Sequence, residues 1–65
     1  MGVIRFEDCK VKHETELALL VEIEGEPVWV PKSVIDDDSE VYDDNENAKG
    51  ALVVKEWWAE KAGLV

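Results

Sequence analysis

The chain has 65 residues and carries 16 acidic residues against 7 Lys and Arg, which gives a formal net charge of −9. A chain of this length is expected to form one domain, 1–65, and to bury only ~60% of the surface exposed by its unfolded form. Its hydrophobic fraction of 46% is too high for a disordered chain, and its negative charge argues against direct binding to nucleic acid or to an anionic membrane.

The first part of the chain alternates between apolar and polar residues, which predicts β-strands. Residues 3–6 form a short strand-like run, and residues 9–13 can continue or follow it. Residues 16–24 form the clearest predicted strand. At a spacing of two, one face of this strand carries Leu17, Leu19, Val21 and Ile23.

A hairpin is predicted after this strand. Residues 24–27 carry a turn signal, and residues 28–30 then form the returning strand. Pro31 ends that strand because proline has no N–H to donate to a ladder. Residues 31–35 are expected to form one helical turn.

The second half of the chain predicts a short strand, a last strand and a helix. We expect Val41 and Tyr42 to pack inward as the short strand and residues 50–54 to form the last one. Residues 55–62 predict a helix that Gly63 ends in a left-handed conformation. Its expected inner stripe is Trp57, Trp58, Lys61, Ala62 and Val65. The predicted fold is α+β: a small, curled antiparallel sheet of 3–5 strands with a C-terminal helix.

The number of cysteines bears on the disulfides and zinc sites that the chain can form, and the targeting signals bear on its cellular compartment. Cys9 is the single cysteine, so neither an intramolecular disulfide nor a zinc cluster is expected. We see neither a signal peptide nor a transmembrane segment, which favours the cytoplasm. No cofactor is expected.

Most of the excess negative charge lies in one short window, residues 36–46. It contains seven acids and no base: Asp36, Asp37, Asp38, Glu40, Asp43, Asp44 and Glu46. One interpretation is a solvated loop, as charge runs usually are. The other is a DNA-like surface. Glu22, Glu24 and Glu26 would extend that surface, because alternate strand residues lie ~7 Å apart on one face, a spacing of the same order as that of successive phosphates.

A calcium loop does not fit this window. An EF-hand loop needs glycine at position 6 and glutamate at position 12. Counting from Asp43 places Ala48 and Val54 there, and counting from Asp36 places Val41 and Asn47 there. At most a weak, nonspecific cation site remains.

A catalytic centre is also not supported. Cys9 and His13 face the same way on a continuous strand but lie ~13 Å apart, beyond hydrogen-bond reach. We therefore expect a half-buried thiol, a surface imidazole and no enzymatic activity. Trp29, Trp57 and Trp58 are expected to seal the thin core, the alternative being that one of them is an exposed interface anchor.

The stretch from 13 to 64 resembles a small recurring module of phage and prophage proteins. The likeness is carried by HET (13–15), ALLV (18–21), VWVPKSVI (28–35), DSEVY (38–42) and LVVKEWWAEKAGL (52–64). It covers about four-fifths of the chain and implies a mobile-element origin rather than a mechanism. Lys55 departs from the module, which tends to have serine there, a better helix N-cap.

In size and charge the chain is also similar to anti-CRISPR proteins that mimic DNA. That likeness implies a monomeric inhibitor that binds a basic nucleic-acid channel of a host Cas effector complex and excludes target DNA. The alternative is an accessory protein-interaction module of phage replication or recombination machinery, which would use exposed tryptophans and a sheet edge.

Overall fold

Four antiparallel strands form one sheet in the described part of the chain. The computed structural model describes residues 2–65 and contains β1 (Val3–Glu14), β2 (Ala18–Ile23), β3 (Glu26–Pro31), a 3-10 turn (Lys32–Val34), β4 (Lys49–Lys55) and α1 (Glu56–Lys61). The strand order is β3-β2-β1-β4. The predicted α+β class, a small antiparallel sheet followed by a C-terminal helix, is confirmed.

The two predicted segments 3–6 and 9–13 belong to one long strand, β1, which two bulges bend. The first shifts the register against β4 between Phe6 and Cys9, and Asp8 there has a φ of 55°. The second shifts the register against β2 between Val11 and His13. Each bulge breaks the simple alternation, so Cys9 and Val11 face the core whereas His13 is exposed.

The predicted β2–β3 hairpin is confirmed, with a two-residue loop at Glu24 and Gly25. Their φ values of 52° and 84° are both positive, as in a type I′ turn. The prediction for Leu17 was wrong, because β2 starts at Ala18 and Leu17 is 77% exposed. Thr15 closes a tight turn with Ala18 through its backbone N–H and its hydroxyl, which places Leu17 in the turn with its side chain exposed.

Val41 and Tyr42 were predicted to pack inward as a short strand. The inward packing is confirmed for one of the two residues, and the strand is wrong. Val41 is fully buried, but Tyr42 is 53% exposed and neither residue is in a strand. The Tyr42 N–H donates to the Asn47 carbonyl at 3.0 Å. That bond turns the chain back toward β4 and leaves the Tyr42 ring outside the core.

The helix runs from Glu56 to Lys61 and its predicted inner stripe was wrong. Ala59 is buried and Trp58 packs against the core, whereas Trp57, Lys61, Ala62 and Val65 are exposed. Gly63 has a φ of 78°, as predicted. Bonds from the Leu64 N–H to Ala59 and from the Gly63 N–H to Glu60 form a Schellman motif, which returns Leu64 to the core.

The core lies between one face of the sheet and α1. Its fully buried large side chains are Leu19, Val21, Val30, Val41, Leu52 and Val54. β4 is buried on both faces, because Ala51 and Val53 are 1% and 3% exposed. The acidic stretch that precedes β4 therefore packs along a strand that has no solvent-facing side.

Candidate protein-binding surface on the acidic segment

Residues 36–46, the acidic segment, lie along the outer edge of β4. Ile35 forms a single bridge with Val54, and the Asp36 N–H then donates to the Val53 carbonyl at 2.8 Å. The Glu40 N–H donates to the Ala51 carbonyl at 2.9 Å. Backbone bonds to a core strand therefore hold residues 36–41, the first half of the segment, in place.

Ser39 fastens the middle of the acidic segment, a role that sequence reasoning missed. Its side chain is buried, and Oγ accepts the Val53 N–H at 3.2 Å while donating to the Val41 carbonyl at 2.8 Å. The Ser39 hydroxyl thus gives the Val53 N–H of β4 the acceptor that a neighbouring strand would otherwise supply. A lone serine between acids carries no sequence signal for such a role.

Two of the seven predicted carboxylates are also used inside the protein. Glu40 Oε1 accepts the Ala51 N–H at 2.9 Å, and Oε2 lies 3.9 Å from Arg5. Asp36 Oδ2 accepts the Asp38 N–H at 3.0 Å, and Oδ1 lies 3.9 Å from Lys55 Nζ. Both carboxylates support the segment and are only partly available to a partner.

Asp43 is the third internal carboxylate. Oδ1 accepts the N–H groups of Asn45 and Asn47, both at 2.9 Å, and Oδ2 accepts Asn47 Nδ2 at 3.0 Å. The Asn47 side-chain bond, followed by these backbone bonds, lowers the pKa of Asp43. This carboxylate locks the loop that leads into β4.

Four carboxylates of the acidic segment remain for external contacts: Asp37, Asp38, Asp44 and Glu46. All four residues are exposed; within residues 2–65 the side chains of Asp37, Asp38 and Glu46 enter no hydrogen bond or ion pair, and that of Asp44 lies beside the Glu14 carboxylate. The backbone next to Asp37 and Asp38 is held to β4, whereas Asp44 is held by the Glu14 carboxylate and Glu46 lies in the loop closed by Asp43. They are the four acids of the predicted seven whose carboxylates the fold does not use to position the segment.

Glu14 anchors the far end of the segment to β1. Its Oε1 accepts the Asp44 N–H at 3.1 Å, and its Oε2 pairs with Lys32 Nζ at 2.6 Å. The bond to Lys32, then the Asp44 N–H, lowers the pKa of Glu14. Three parts of the chain that are distant in sequence meet at this carboxylate.

The predicted extension of the site lies on a different part of the sheet. Glu22 pairs with Lys12 at 3.4 Å, and Glu24 and Glu26 lie at the β2–β3 hairpin beside Gly63. In the sheet order, β1 separates this hairpin from β4. In the described part of the chain, no hydrogen bond or ion pair joins these glutamates to the acidic segment.

Cys9 and His13 are not brought together. Cys9 is 2% exposed, more buried than predicted, and its Sγ contacts the Phe6 carbonyl at 3.5 Å. Burial raises the pKa of this thiol, which disfavours the nucleophilic thiolate. His13 instead lies edge-on to Trp29, with ring centroids 6.1 Å apart at 88°.

The tryptophans divide into two roles. Trp58 packs against the core, as predicted, whereas Trp29 and Trp57 are 50% and 55% exposed. Trp29 lies on the edge strand β3, and Trp57 lies on α1. The expectation that all three seal the core was therefore wrong for two of them.

The described residues, 2–65, contain neither a metal-binding cluster nor a membrane-spanning helix. No group of three or more His, Cys, Asp or Glu side chains in that range is arranged to hold a metal ion. None of the described helices has the length and apolar character needed to span a bilayer.

Comparisons with protein-family models, with curated proteins and with solved structures found no match.

Proposed function

We propose that this protein is a non-enzymatic inhibitor that uses its acidic segment to occupy the basic nucleic-acid channel of a partner, as a DNA mimic does. The observation that carries the proposal is the division of the seven acids. Glu40 and Asp36 contact β4 and Asp43 closes the following loop, whereas Asp37, Asp38, Asp44 and Glu46 are exposed. The support and the binding groups are thus distinct.

Physical chemistry favours a basic partner for such a surface. Clustered carboxylates repel one another, and that repulsion opposes folding. A cationic channel would remove the repulsion and would attract the segment over a distance set by salt. Because the segment is already ordered, little conformational entropy is lost when it binds.

The first partner to test is a CRISPR–Cas surveillance complex, whose function is to hold nucleic acid in a basic channel. The experiment measures displacement of labelled target duplex from the purified complex by the protein. We expect displacement by the native protein and its loss in D37N/D38N/D44N/E46Q. Failure of the native protein to displace duplex would contradict the inhibitor proposal.

A matched control separates local charge from net charge. The variant D8N/E16Q/E24Q/E26Q removes four negative charges at exposed positions outside the acidic segment. We expect it to displace duplex nearly as well as the native protein. Equal losses in the two variants would mean that total charge, rather than the acidic segment, governs binding.

The second candidate, an interaction module of phage replication or recombination machinery, is favoured by the half-exposed Trp29 and Trp57. Its sheet-edge contact is disfavoured at β3. The two-residue loop makes Val28↔Val21 and Val30↔Leu19 the hydrogen-bonded pairs. The N–H positions of 27, 29 and 31 then point outward, and two of these are prolines, which protect the edge from strand addition.

A further inference from the structure

A shallow cleft lies where the start of β1, the acidic segment and α1 meet. Its volume is about 430 Å³, within the range of about 300–1,000 Å³ usual for ligand pockets. Trp57 and Val3 supply its apolar walls and are 55% and 46% exposed. Two large apolar side chains are therefore left open at the end of the acidic segment.

The charges that line the cleft are mostly negative. Asp36, Glu56 and Glu60 face it against one base, Lys55. Lys55 lies 3.9 Å from Asp36 Oδ1, while none of the ion pairs found within residues 2–65 includes Glu56 or Glu60. These two glutamates are four residues apart on α1, a spacing at which like charges repel.

We infer that this cleft binds an arginine side chain of the basic partner, with the guanidinium between Glu56 and Glu60 and against the indole of Trp57. An aromatic ring and a carboxylate are the two groups that a guanidinium recognises best, by cation–π contact and by paired hydrogen bonds. The cation also neutralises the Glu56–Glu60 repulsion. Lysine fits less well because its ammonium lacks the planar fork.

The inference rests on the proposed function for the nature of the partner, although the chemistry of the cleft is independent of it. Asp36 is shared between the cleft and the acidic segment. Asp37 and Asp38 follow Asp36 in the chain but do not line the cleft. The cleft would thus add an apolar anchor to a surface that otherwise attracts by charge alone, and buried aromatic contacts often dominate the energy of an interface.

The test is an NMR titration of the whole protein with the peptide acetyl-Gly-Arg-Gly-amide. Peptides with lysine or with neutral citrulline in place of arginine serve as comparisons. We expect shifts of the Trp57 indole N–H and of the backbone amides of Glu56 and Glu60, strongest with arginine and weakest with citrulline. Equal shifts with arginine and citrulline, or shifts that leave Trp57 unmoved, would overturn the inference.

Two variants and a control locate the binding, and a fourth variant separates it from the proposed function. Trp57→Ala and Glu60→Gln should each weaken arginine-peptide binding roughly threefold to tenfold, whereas Trp29→Ala, which removes the other half-exposed indole, should leave it unchanged. D37N/D38N/D44N/E46Q should keep peptide binding although it loses duplex displacement. Loss of peptide binding in Trp29→Ala, or its persistence in Trp57→Ala, would contradict the assignment.

Discussion

Ser39 is the buried hydroxyl that joins the acidic segment to the core. It serves the Val53 N–H and the Val41 carbonyl together, and both groups lie away from water. A buried polar group that loses its partner costs far more than an exposed one, because desolvation is not compensated. A short side chain thus helps to hold the middle of the acidic segment against β4.

Replacing Ser39 by alanine is expected to lower the free energy of unfolding by about 1–3 kcal/mol. The reason is that the Val53 N–H loses its acceptor. Urea unfolding measures the change, and Ser33→Ala, at an exposed serine, is the matched control. Equal effects of the two substitutions would refute the role assigned to Ser39.

Gly50 is required by both its conformation and its neighbour. Its φ is 132°, and a Cβ there would lie 2.6 Å from Glu40 Oε1, the atom that accepts the Ala51 N–H. Gly50→Ala is expected to cost about 2–4 kcal/mol from backbone strain and the disrupted bond. Gly63→Ala, with a φ of 78° and open space around it, should cost only about 1–2 kcal/mol. Urea unfolding of both variants gives the comparison, and a smaller loss at Gly50 would contradict the contact with Glu40.

At the scale of elements, Glu14 ties β1 to the 3-10 turn and to the acidic segment. Its pKa is lowered from the ordinary 4.5, so its charged form stabilises the fold. That contribution is fully present above pH 4.5 and is lost as the pH falls through the lowered, folded-state value. Acid should therefore loosen the attachment of the acidic segment.

Glu14→Gln tests this attachment because glutamine keeps an acceptor for the Asp44 N–H but cannot pair with Lys32. We expect the variant to be less stable than the native protein at neutral pH, with a difference that shrinks as acid protonates Glu14. Urea unfolding across the pH range gives the difference, and Glu16→Gln controls for the loss of one charge at an exposed site. A gap between Glu14→Gln and the native protein that is constant with pH would show that the Lys32 pair does not contribute.

The elements differ in how far their sequences predict them. Period-two alternation and the Glu24-Gly25 turn are local signals, so the β2–β3 hairpin is predictable. The bulges of β1 are not, because they depend on pairing with β4 and β2 at the same time. The inner face of α1 was also mispredicted, since a helix of six residues is oriented by its Schellman motif and Leu64 rather than by a long apolar stripe.

At the scale of the whole molecule, net charge is less informative than the use made of each acid. Composition places the seven acids in one window, but it cannot separate Glu40, which bonds to β4, from Asp37, which bonds to nothing in residues 2–65. That division follows from long-range pairing of the segment with β4. Lys55 stands where the similar phage module tends to have serine, and in the structure the helix has no side-chain N-cap bond at this residue.

Two kinds of surface thus remain available to a partner: the four free carboxylates and the half-exposed indoles. They predict different responses to salt, because ion pairing at an exposed surface is screened whereas apolar contact is not. Their relative weight decides between the inhibitor and the interaction module.

The most direct measurement is the affinity of the protein for the surveillance complex at about 50 mM and about 300 mM NaCl, salt concentrations between which screening increases strongly. The native protein should bind much more weakly at the higher salt, and D37N/D38N/D44N/E46Q should lose most of that salt dependence together with most of its affinity at low salt. Tight binding that is insensitive to salt, or a quadruple variant that binds like the native protein, would contradict the claim that the free carboxylates of the acidic segment carry the function.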